Sequence, residues 1–127
     1  MMKIRVLLWG LGLCALHVGL ADASSLEVAQ AAFDLRMAGK VDEAVQRLEE
    51  GLAADSTQAI LFYELSRARL SLMDIEGMQE AIDKAVSLEP ENAEYHYFAG
   101  LASTYSLISA AHHEQQEVMK LYKDEKV

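Results

Sequence analysis

The sequence predicts an all-α fold built from stacked helix–turn–helix units, and three observations carry that prediction. Chemically similar residues recur at an offset of 34 without a gap. Apolar residues repeat at helical spacing on both sides of Gly39 and of Asp74. No stretch shows the two-residue alternation of a half-buried strand.

The first two dozen residues stand apart. Lys3 and Arg5 precede an uncharged apolar run over residues 6–20, and Ala21-Asp22-Ala23 follows. A positive start, a short apolar centre and an Ala-x-Ala end describe a secretory signal peptide cut after Ala23. The run is short for a bilayer span, which takes about 20 apolar residues, and it contains His17. An uncleaved anchor is the main alternative. A lipid on Cys14 is the other, but Leu13 rather than a small residue precedes it and the Ala-x-Ala site still follows. The expected organisation is a leader over 1–23 and one helical domain over 24–127, with units of about 25–58, 59–92 and 93–127, the last irregular.

The chain has 127 residues, one cysteine and a net charge of −9. Cleavage would remove Lys3, Arg5 and Asp22 and leave −10. It would also remove Cys14, so the mature chain would depend on packing with no disulfide. So acidic a surface repels nucleic acid and anionic lipid headgroups; nucleic acid is excluded as a partner, and no membrane insertion is expected after cleavage of the leader.

Each helix has its own signals. Ser24 or Ser25 can cap a first helix, along which Val28, Ala31, Ala32 and Leu35 recur at helical spacing. Gly39-Lys40 breaks it, because glycine takes the left-handed conformation freely. Val41, Ala44, Val45, Leu48 and Leu52 form the stripe of a second helix. Leu61, Phe62, Leu65 and Leu70 mark a third, and Asp74 begins a turn. Ile75, Met78, Ile82, Ala85, Val86 and Leu88 mark a fourth, stopped by Pro90, the only proline. Asn92 is a good cap for a fifth. At the 34-residue offset acid meets acid at 42/76 and 49/83, aliphatic meets aliphatic at 48/82 and 52/86, a small residue meets a small one at 51/85, and Tyr63 meets Tyr97. Beyond Tyr105 the register fails, with no turn signal until the polar stretch 112–117, and a longer, shifted helix is expected there.

Gly39, Ala44, Leu48 and Gly51-Leu52, then Phe62, Leu65, Ile82, Ala85 and Pro90, resemble the tetratricopeptide repeat signature. The stretch 93–100 is similar to the opening helix of a third repeat. The resemblance covers about residues 25–105. Departures are the absent signature tryptophan, Arg69 at the tyrosine position and Met73 at the turn glycine. The family likeness implies a right-handed α–α superhelix of about two and a half to three repeats. It also implies a concave groove lined by the first helix of each pair, where extended peptides lie. Carried onto this sequence, the groove receives Phe33 and Arg36 from the first unit, Tyr63 and Arg67 from the second, and Tyr97, Leu101 and Tyr105 from the third. Tyr and Arg commonly dominate interface energy. The competing reading is that Phe33, Tyr63 and Tyr97 simply pack between helices. The Lys and Asn clamp of chaperone-binding members has no counterpart at these positions.

Catalytic signals are absent from the sequence. There is no Gly-rich phosphate loop, nucleophile elbow or His-Glu-x-x-His pattern. His113 and Glu117 are four apart and could share a cation, with His96 a remote third ligand. Adjacent histidines diverge on a helix and a zinc site needs more donors, so a solvated face is the reading for His112 and His113. The expectation is a non-catalytic interaction scaffold of the cell envelope, without cofactor or metal, exported to the periplasm of a Gram-negative cell or otherwise secreted, and holding a peptide or protein segment. The alternative is a structural or oligomerising protomer, or the first part of a longer scaffold. The C-terminal helix is its candidate contact between copies, since no polar cap follows it.

Overall fold

A computed structural model describes residues 23–125, and within them the chain is all helical, with no strand. The expected leader lies almost wholly outside the described residues. Five helices follow in order: α1 Ala23–Met37, α2 Val41–Ala54, α3 Ala59–Ser71, α4 Ile75–Leu88 and α5 Ala93–Asp124. Consecutive helices pack against each other, and α1 also packs on α3. Helix starts recur: Val41 and Ile75 stand 34 residues apart, as do Ala59 and Ala93.

Local chemistry explains most boundaries. Gly39 adopts φ 79° and ends α1. Asp55 ends α2 and accepts from the backbone N–H of Thr57 at 2.9 Å, its hydroxyl at 2.6 Å and the amide of Gln58 at 2.8 Å. These bonds hold the Asp55 carboxyl below its ordinary range, the Thr57 hydroxyl contributing most. The Asp74 side chain accepts from Gly77 N–H and caps α4. Asn92 accepts from the N–H groups of Glu94 and Tyr95 and caps α5. One boundary differs from expectation. α1 already runs from Ala23, so Ser24 and Ser25 lie within its first turn rather than ahead of it, and Ser25 is buried. Ala23 is the best helix former and nothing at that point breaks the helix.

The core forms two joined clusters. Ala29, Ala32, Ala44, Leu48, Leu61, Leu65, Ala68 and Ala81 tie α1 through α4. Ala59, Tyr63, Met78, Ile82, Ala85, Tyr95, Phe98 and Ala102 tie α3, α4 and α5. Small residues set the helix spacing. A Cβ on Gly51 would come within 3.0 Å of Val28 and 3.2 Å of Leu61, and Ala85, one period later, has no exposed surface. Arg69 pairs with Glu49 of α2 at 2.7 Å and with the capping Asp74 at 3.0 Å. It fastens the second unit to the first by charge. Leu88, expected in the stripe of α4, is exposed.

α5 runs 32 residues without a break. Leu107 stands one period after Met73 and two after Gly39, yet it is helical. No glycine or proline interrupts the stretch 101–124, and the Ser103 and Thr104 hydroxyls bond back to the Ala99 and Gly100 carbonyls, so the backbone hydrogen bonds continue. Beyond Ser106 every described residue is exposed.

Candidate functional site

Four groove residues meet on the seam between α1 and α3. Glu64 of α3 is buried there, and its neighbours are the two arginines. Arg67 Nη1 donates to Glu64 Oε1 at 3.0 Å, while Arg36 Nη2 stands 3.9 Å from Oε2, too far for a hydrogen bond. Both guanidinium groups lie over the Phe33 ring, at 5.2 Å for Arg36 and 5.7 Å for Arg67. Arg67 also sits 5.4 Å from the Tyr63 ring. Aromatic faces are negative, so Phe33 and Tyr63 help hold two like charges side by side.

The electrostatics of this cluster are strained. Burial pushes the Glu64 carboxyl above its ordinary value, and Arg67 and then Arg36 oppose the shift. Burial lowers Arg36, and the neighbouring Arg67 charge lowers it further. Arg36 Nε and Nη2 and Glu64 Oε2 are buried with no hydrogen-bond partner in the protein. One carboxylate stands against two guanidinium groups, which leaves an excess positive charge at the seam in a chain of net charge −9.

Tyr63 occupies a different setting from the one that repeat geometry implies for a ligand contact. The structure places it inside the α3–α5 packing, at 7% exposure. Its ring stands 5.0 Å from Tyr95 and 5.6 Å from Phe98, the latter edge-on. Its hydroxyl donates to Glu94 at 2.6 Å, and burial together with that bond pushes its pKa up to about 12. Tyr95 is likewise raised, by burial first and then by Glu89 and Glu94. Tyr97 is 75% exposed, while Leu101 and Tyr105 are half-buried at the edge of the α4–α5 packing. The seven candidates therefore divide between the α1–α3 charge cluster (Phe33, Arg36, Arg67), the aromatic packing of α3 on α5 (Tyr63), the edge of the α4–α5 packing (Leu101, Tyr105) and the open side of α5 (Tyr97).

Sequence reasoning missed Glu64, Glu94, Tyr95 and Phe98. Glu64 had a signal: it is the one acid in the apolar run 59–66, three residues before Arg67. Its partner Arg36 lies on another helix, so the triad itself has no sequence spacing to read.

The histidines come to no joint site. His96 Nε2 donates to the Pro90 carbonyl at 2.6 Å, which stabilises the turn before α5. His112 and His113 are exposed and border a cleft of about 490 Å³ with Met73, Ile75 and Tyr105. Among the described residues no three His, Cys, Asp or Glu side chains gather as metal ligands, and no helix is long and apolar enough to cross a membrane. No protein-family profile and no curated protein matches this chain.

Proposed function

We propose that this chain is a non-catalytic interaction scaffold that holds a peptide or protein segment along the side formed by α1, α3 and α5. The helices are read as a right-handed α–α superhelix of tetratricopeptide type, with α1–α2 and α3–α4 as two repeats and α5 as an enlarged third first helix. The recurrence of helix starts at 34 residues supports this reading.

The observation that carries the function is the Phe33–Arg36–Glu64–Arg67 cluster. Glu64 and the Phe33 ring restrain two arginines that would otherwise repel. Arg67 keeps part of its side chain in solvent, where its planar fork suits a carboxylate or a peptide carbonyl. An anionic or carbonyl-rich segment would find a local positive excess here, while the acidic net charge of the chain disfavours such ligands elsewhere. The same acidity supports partners other than nucleic acid. The leader-like residues 1–23 support export to the periplasm or outside the cell.

Capture of partners from the envelope fraction tests the proposal. Arg67→Ala with Tyr97→Ala should weaken capture by about 2 kcal/mol, the scale of an interface hot spot. Helical content should be retained, since both side chains reach solvent. His112→Ala with His113→Ala is the control and should bind normally. A folded Arg67/Tyr97 variant that captures as well as the wild type would overturn the groove assignment.

A further inference from the structure

The exposed side of α5 carries an inference of its own. Tyr63 and Tyr97 occupy the same register position one period apart, yet their exposures are 7% and 75%. The difference has a plain cause: Tyr95, Phe98 and Glu94 of α5 cover Tyr63 of α3, and among the described residues no helix is packed on the Tyr97 side of α5. The fold thus uses this face once to receive a helix, and presents it a second time uncovered.

The uncovered face extends along the helix. Tyr97, Leu107, Ile108, Val118, Leu121 and Tyr122 are each between 45% and 75% exposed. At 100° per residue they fall on one broad side of α5. Thr104, Ile108, Ala111, Gln115, Val118 and Tyr122 run along its middle at alternating spacings of four and three, the seam of a two-helix coiled coil. The five large side chains from Leu107 to Tyr122 expose roughly 600 Å² together, most of the ~800 Å² each partner contributes to a stable complex. That stands at the upper end of the roughly 300–600 Å² of the largest apolar patch on a typical monomer.

We propose that a second copy of this chain covers the face, α5 packing antiparallel on α5 about a two-fold axis. Three features select this occupant. The seam is graded in size: Gly100 and Thr104 lie toward the start of the helix, and Val118 and Tyr122 toward its end. A Cβ on Gly100 would meet nothing within 4 Å, and the Thr104 hydroxyl is satisfied by the Gly100 carbonyl at 3.0 Å. An antiparallel copy therefore sets large side chains against small ones at both ends, with Ile108 opposite Val118 between them. A parallel copy would oppose large to large. Charge is the second feature. Glu117, Lys120 and Asp124 point to the other side of the helix, and of the acids only Glu114 and, at its very end, Glu125 border the seam, so two acidic chains can meet here with limited repulsion. Length is the third: 32 residues make a helix of about 48 Å, with room for three heptads of pairing and the two helical bodies at opposite ends.

Sedimentation equilibrium of the protein, expressed with its own leader and purified at tens of micromolar, should give twice the chain mass. Val118→Glu with Tyr122→Glu should raise the dissociation constant at least 100-fold and give the single-chain mass. The body should keep its melting temperature, because neither side chain touches it. Lys120→Glu, on the opposite side, should remain a dimer. In a Cys14→Ser background, Thr104→Cys chains mixed with Tyr122→Cys chains should cross-link to each other on oxidation while neither variant cross-links alone, the pattern of an antiparallel pair. A single-chain mass for the wild type would overturn the proposal, including the case where residues 1–22 cover the face. So would a Val118/Tyr122 variant that stays dimeric, or a cysteine pair that does not cross-link. Tyr97 borders both surfaces, so Arg67→Ala alone, which leaves α5 untouched, separates the two: it should weaken ligand capture and remain a dimer.

Discussion

Gly39 and Met73 hold the same left-handed backbone position one period apart, at φ 79° and φ 58°. Each ends the first helix of a pair and turns the chain toward the second. Gly39 does so without steric cost. Met73 does so with a Cβ, and its side chain, 68% exposed, gains little from burial in return. Methionine at positive φ costs roughly 1–2 kcal/mol. It is retained because the turn is fixed from both sides, by Met73 N–H donating to the Leu70 carbonyl and by the Asp74 cap.

Met73→Gly should therefore stabilise the fold, by about 0.5–1 kcal/mol after the extra entropy of glycine in the unfolded chain is subtracted. Gly39→Ala should destabilise it by about 1 kcal/mol, although a Cβ there meets nothing. Urea melts of the two variants check this. Shifts of the same sign would break the equivalence of the two turns.

Ala85→Leu should cost about 1–3 kcal/mol by overpacking. Ala85 is fully buried on the same face of α4 as Met78 and Ile82, where α4 meets α5. An unchanged melting temperature would mean the α4–α5 contact is looser than this geometry.

Tyr63 separates packing from hydrogen bonding. Tyr63→Phe keeps the contacts with Tyr95 and Phe98 and loses only the bond to Glu94, so it should cost about 1 kcal/mol. Tyr63→Ala should cost about 3–5 kcal/mol through the cavity left between α3 and α5. Equal and small losses in the two variants would return Tyr63 to the surface.

The pH dependence has a definite sign at Glu64. Its carboxyl is raised in the folded state, so that state holds the proton at pH values where the unfolded chain has released it. In that window the folded state binds more protons, and stability falls as pH rises from the ordinary carboxylate value through the raised one. Asp55 works the other way: its depressed pKa gives stability that is present above the ordinary value and lost on acidification through the depressed one. The melting temperature of the wild type minus that of Glu64→Gln, followed from pH 4 upward, should decline with pH. A rising difference would mean the two arginines outweigh burial.

The helix inventory was largely legible in the sequence because it rests on local chemistry. Gly39, Asp74, Pro90 and Asn92 act on the backbone within a few residues of themselves, and Leu48, Ile82 and Ala85 declare their face by spacing alone. The place of Ser24 and Ser25 was misread, since a serine able to cap a helix is also able to sit within one. The groove was half legible. Periodicity put Tyr63 and Tyr97 on one face, but it carries no information about what covers that face.

By itself, then, the sequence determined where most helices begin and end, most of their apolar sides, and that the pattern repeats every 34 residues. Those properties follow from hydrogen bonds and spacings spanning one helical turn or one loop. Only the tertiary structure decided that Glu64 lies between Arg36 and Arg67, that Tyr63 is buried against Tyr95 and Phe98, and that Tyr97 and the long side of α5 stay open. Burial and charge pairing depend on helices remote in sequence meeting in space. Two residues in the same register can therefore end up with opposite fates, one under a neighbouring helix and the other in water.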